Sequence, residues 1–78
     1  MTPQERSVLN SHLEKLKTAR TDIGAVIARA SGILENLPPG NKGGQAMNDQ
    51  RAQLHRAGEY LNGAIINLES GLSYDVQY

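Results

Sequence analysis

The sequence predicts an all-α protein, an antiparallel helical hairpin of two long helices that assembles as an oligomer. Three observations carry this expectation. An apolar rhythm in steps of three and four runs from Leu9 to Leu37 and recurs from Met47 to Leu68. Between the two stretches stand Pro38-Pro39-Gly40 and Gly43-Gly44, residue types that end helices and turn chains. Finally, 78 residues with no cysteine and two histidines are short of core, and disulfides or a metal are poor candidates to make up the deficit. Self-association remains as the source of stability.

The elements follow in order. Thr2 and Glu5 have capping-box spacing and Pro3 suits the first helical position, so helix one is expected over about 3–37. Its seam is Leu9, Leu13, Leu16, Ile23, Ile27, Ala30, Leu34 and Leu37, with Arg20 on the one beat that lacks an apolar residue. Ala19, Val26 and Ile33 widen the stripe beyond what one partner helix covers. Such a helix is roughly 50 Å long, and Gly24 or Gly32 marks a place for a break. A loop over about 38–44 follows. Helix two is then expected over about 45–72, some seven residues shorter than helix one. Its seam is Met47, Leu54, Ala57, Leu61, Ala64 or Ile65, and Leu68, with Gln50 as the polar beat and Gly71 as the stop. The tail at 73–78 alternates polar and apolar residues and reads as an extended arm. Small residues at Gly24, Ala28, Ser31 and Gly32, and at Ala57, Gly58, Gly63 and Ala64, predict close helix crossings. Ile27 and Leu61 are expected near the centre of the core.

Composition excludes several function classes. Eight Lys plus Arg balance eight Asp plus Glu, which argues against a protein that binds long nucleic acid by neutralising phosphates. No stretch is long and apolar enough to span a membrane, and the opening MTPQER lacks a secretory pattern, so a cytoplasmic protein is expected. His12 and His55 lie about 22 Å apart along a folded hairpin, too far for a shared metal. None of the serines has a histidine and carboxylate in a recognisable arrangement, and the glutamates lack a partnered acid. The sequence therefore predicts no enzyme, no cofactor and no metal.

The residues that invite a binding role are few. Arg20 is a charge on an apolar seam, which is costly unless paired or exposed. Hairpin geometry sets it near Asn62, with Glu59 and Tyr60 at that level, where it reads as a structural polar layer that fixes helix register or, with Lys17 one turn away, as an anion site. Gly40-Asn41-Lys42-Gly43-Gly44 leads into a helix, where backbone N–H groups and Lys42 can meet an anion. Tyr74 and Tyr78 concentrate two of the chain's three tyrosines in its tail, rigid surfaces suited to docking or stacking.

The segment from Leu54 to Ile65 resembles the second helix of the phage helical-hairpin sponge family, which includes the anti-CBASS and anti-Thoeris proteins. Leu54, Ala57, Tyr60, Asn62, Ala64 and Ile65 occupy the family's recurring places, and the proline-bearing turn fits. The family's Arg-Glu after a glycine is replaced here by Gln45 after Gly44. The resemblance implies a non-enzymatic homo-oligomer that binds a cyclic nucleotide or related signalling molecule between protomers, in the host cytoplasm if the chain is phage-encoded. Tyr60, Tyr74 or Tyr78 would then stack on a base, Lys17, Arg20 or Lys42 would meet phosphate, and Asn62 would read a polar edge. The competing expectation is a small helical inhibitor or assembly adaptor that presents a helix face to a partner protein.

Overall fold

The computed structural model describes residues 1–77, with side chains through Tyr74. Two helices, α1 (Pro3–Glu35) and α2 (Lys42–Gln77), make one antiparallel hairpin, and no strand occurs among the described residues. The hairpin measures 58 × 15 × 13 Å, with a radius of gyration of 17.6 Å, against ~11.5 Å for a compact domain of this length. It is a rod.

The start of α1 is as the sequence reads. The Glu5 N–H donates to Thr2 Oγ1 at 3.1 Å and the Thr2 N–H donates to Glu5 Oε1 at 2.9 Å, the reciprocal capping box, with Pro3 in the first turn. The helix runs unbroken past Gly24 and Gly32 and stops at Glu35. Asn36 and Leu37 then tighten the chain, their N–H groups donating to the carbonyls of Ile33 and Leu34 at 3.1 and 3.3 Å. Pro38 cannot extend the helix further. Gly40 takes φ +80°, the left-handed region that favours glycine.

Helix α2 begins three residues before the expected start, at Lys42, because Asn41 caps it. The Asn41 side-chain oxygen accepts from the Gly44 N–H at 3.0 Å, and its carbonyl accepts from Gln45 at 3.0 Å. Gly44 is buried there, and a Cβ on it would stand 3.2 Å from Leu37 Cδ1, so the turn closes on the glycine.

The far end corrects the sequence reading more strongly. Residues 73–77 are helical, not an extended arm, and α2 has 36 residues against 33 in α1 rather than being the shorter helix. Tyr78 lies outside the described residues. Gly71 costs about 1 kcal/mol of helix propensity, whereas burying Leu72, which is 6 % exposed, contributes roughly 1.5–3 kcal/mol. Burial wins. Arg6 Nη1 also donates to the Leu72 carbonyl at 2.9 Å, tying the end of α2 to the first turns of α1.

The core sits at this open end. Leu13, Ile65 and Leu72 are buried, with Leu9, Leu16 and Leu68 packed on them, and Ile65 is only 1 % exposed. Ile27 and Leu61, expected at the centre of the core, are half-buried. The middle is thin because the α2 seam passes through Arg51 rather than Gln50, through Gly58 beside half-buried Ala57, and through Ile65, the second of the two expected alternatives, rather than exposed Ala64. Gly58 brings no side chain to the interface and Arg20 is exposed. The small residues do not mark close crossings within the hairpin either. Added Cβ atoms at Gly24, Gly32 and Gly63 would meet nothing within 4 Å, and one at Gly58 would only reach Ile23 Cγ2 at 4.0 Å.

Candidate functional site: a groove opened by glycines beside Arg20

Among the described residues, three arginines on the apolar seam reach across the hairpin. Besides Arg6, Arg51 Nη1 donates to Ser31 Oγ at 3.1 Å while its Nη2 holds Asn48 Oδ1 at 2.7 Å. In the middle, Arg20 Nη1 donates to Asn62 Oδ1 at 2.8 Å, joining two residues that the sequence brings to one level. A guanidinium on a long aliphatic stem can leave a seam for its edge, so an arginine interrupts the apolar rhythm without burying charge. Among the described residues no buried side-chain polar atom lacks a partner.

Beside the Arg20–Asn62 bond the helices part into an open groove of about 330 Å³. Ile23 and Ile27 of α1 and Leu54 of α2 wall it, Gly24 and Gly58 leave it unfilled, and His55, Glu59 and Asn62 stand along its length. The guanidinium has five N–H donors, and the hydrogen bond to Asn62 leaves others for a ligand. The groove thus offers an apolar wall for a ring and a fixed cation for an anion. A larger concavity of about 410 Å³, by Met1, Gln4, Glu5, Val8 and Leu9, rests on the first turns of α1 and has no lysine, arginine or histidine in its lining.

The sequence-derived ligand residues separate into two groups. Arg20, Asn62 and, one turn on, Lys17 share the groove side. Lys17 Nζ stands 4.0 Å from both Glu14 Oε1 and Glu69 Oε2, so carboxylates already balance its charge. Lys42 is twenty residues of helix from Asn62, ~30 Å along the rod, and Asn41 rather than an anion occupies the cap there. Tyr60 lies two residues before Asn62, which turns it some 200° around the helix to the other side, where it is 81 % exposed. Tyr74 is 63 % exposed and about 18 Å further along. No single hairpin can bring these tyrosines to its own Arg20. Arg51, Gly24 and Gly58, which shape the groove side, were not expected to do so. For Arg51 and Gly58 the signal is the uninterrupted step of three and four through 47, 51, 54, 58, 61 and 65, and Gly24 on α1 carries none.

Replacing Gly24 tests whether the groove is empty space. Gly24→Ala adds a methyl that meets nothing and gains about 1 kcal/mol of helix propensity, so the melting temperature should rise by about 4–8 °C. A fall instead would mean that another protomer's backbone lies against this position.

Among the described residues no group of three or more His, Cys, Asp or Glu is placed to hold a metal, and no helix is long and apolar enough to cross a membrane. A scan against protein-family models gives no match for this chain, and neither do searches of curated proteins and of solved structures.

Proposed function

We propose that the protein is a non-enzymatic, phage-type anti-defence protein that acts in the cytoplasm as an oligomer of hairpins and sequesters a nucleotide second messenger at the Arg20 groove. The observation that carries this reading is the guanidinium held by Asn62 beside a groove that two glycines leave open. The likeness of residues 54–65 to the sponge family supports the ligand class. One Arg20 per protomer meets one phosphate, and the exposed tyrosines reach a groove only from a neighbouring protomer. A ligand with two phosphates therefore takes Arg20 from two chains.

Titration calorimetry with a panel of cyclic and linear nucleotides, paired with native mass spectrometry, tests this. The expected result is binding of a cyclic dinucleotide at one per two protomers. No heat and no retained nucleotide across the panel would defeat the sponge reading. The second reading, a protein-binding inhibitor or assembly adaptor, would then take its place, because Tyr60 and Tyr74 stand exposed on the side away from the groove.

A further inference from the structure

The two long sides of the hairpin differ in chemistry. The hydrogen bonds from Arg20 to Asn62 and from Arg51 to Ser31, and the approach of Lys17 to Glu69, all lie along one side. On the opposite side, helical periodicity places Ala19, Val26 and Ile33 of α1 beside Ala57 and Ala64 of α2. Val26 is 45 % and Ile33 51 % exposed. Two apolar rows from separate helices thus form one flat face, low in bulk on α2 and free of charge at its centre.

The surface area shows how much cover such a rod lacks. The hairpin exposes 5836 Å², whereas a compact monomer of 8.5 kDa exposes ~4,650 Å². The excess, roughly 1,200 Å², exceeds the ~800 Å² that each partner buries in a standard stable interface. A chain with zero formal net charge meets its own copy without long-range repulsion.

We propose that a second copy of this chain covers the Ala19–Val26–Ile33 and Ala57–Ala64 face, forming a four-helix bundle about a two-fold axis near Ala19. The inference rests on the oligomeric reading above and names the face that serves it. Charge selects the orientation. On the α1 edge, Lys15 and Asp22 lie one heptad apart on either side of Ala19, and neither forms an ion pair among the described residues. Packing α1 antiparallel on α1 of the second copy sets each Lys15 against Asp22 of the partner subunit, with Val26 over the partner subunit's His12 and Ile33 over the partner subunit's Glu5. Packing α1 on α2 would instead offer them Gln53, Tyr60 and Asn67, none of them charged. The small side chains of Ala57 and Ala64 let the α2 helices approach. The groove at Arg20 faces away from this contact and stays open, so a ligand shared by two Arg20 groups is held between one such dimer and the next.

Sedimentation of the full chain at micromolar concentration is the test. Wild type should be dimeric or a higher multiple of dimers, the double variant Val26→Glu with Ile33→Glu should shift to monomer, and Ile66→Glu, exposed on the other side, should leave the assembly intact. Loss of the face can also unfold a marginal chain, so cross-linking gives a second readout. The chain has no cysteine, and Ala19→Cys should form a covalent dimer under oxidation while Ile66→Cys should not. Assembly that survives the double variant, or a cross-link formed through position 66 and not 19, overturns this face and leaves self-association standing. A monomeric wild type overturns both.

Discussion

Ile65→Ala should destabilise the protein by about 2–5 kcal/mol, the range for truncating a buried branched side chain where the surroundings cannot collapse. Among the described residues Ile65 is the most enclosed large side chain, 1 % exposed in the cluster with Leu13 and Leu72. Ile27→Ala should cost less, because Ile27 is half-buried beside the open groove and truncation there vacates space that already meets solvent. Chemical denaturation of the two variants at one protein concentration measures the difference. Equal losses would mean that the middle of the rod is as well covered as its open end, and the cover would have to come from another protomer. The core at the open end also explains why α2 continues through Gly71. Leu72 closes the same cluster, and the helix persists to reach it.

How much of this was legible depended on which residue types marked the seam. On α1 a leucine, isoleucine or alanine stands on nearly every step, and the seam reads without choice. On α2 the informative steps fall on pairs of neighbours: Gln50 and Arg51, Ala57 and Gly58, Ala64 and Ile65. Hydropathy favours Ala57 over its equally half-buried neighbour Gly58, because glycine has no side chain to announce its face, and it overlooks Arg51, whose aliphatic stem suits a seam as its charge does not. The tail misled for a related reason. Alternation over six residues resembles an extended segment, while the single residue that decides the outcome, Leu72, precedes it and is buried only through a contact sixty residues away in sequence. The pairing of Arg20 with Asn62 was legible because a hairpin folded about its loop fixes which levels meet, whatever the helix ends do. The groove was not, since it arises from what Gly24 and Gly58 lack.

Arg20→Met should weaken binding of a cyclic dinucleotide by about 10- to 100-fold while moving the melting temperature by no more than about 3 °C. The two readouts separate because the two roles of the guanidinium differ in setting. Arg20 is exposed and its hydrogen bond to Asn62 is open to solvent, so methionine of similar length keeps the stem packing and leaves Asn62 to water. Little stability is at stake. A phosphate in the groove, by contrast, loses its one fixed cation, since Lys17 stands between Glu14 and Glu69 and Lys42 lies at the other end of the rod. Calorimetry and thermal melts on the same samples read both effects. A large fall in melting temperature with unchanged nucleotide binding would make Arg20 a rung that fixes helix register. Asn62→Ala distinguishes further: it frees the guanidinium without removing it, so binding should weaken less than in Arg20→Met, through lost orientation rather than lost charge.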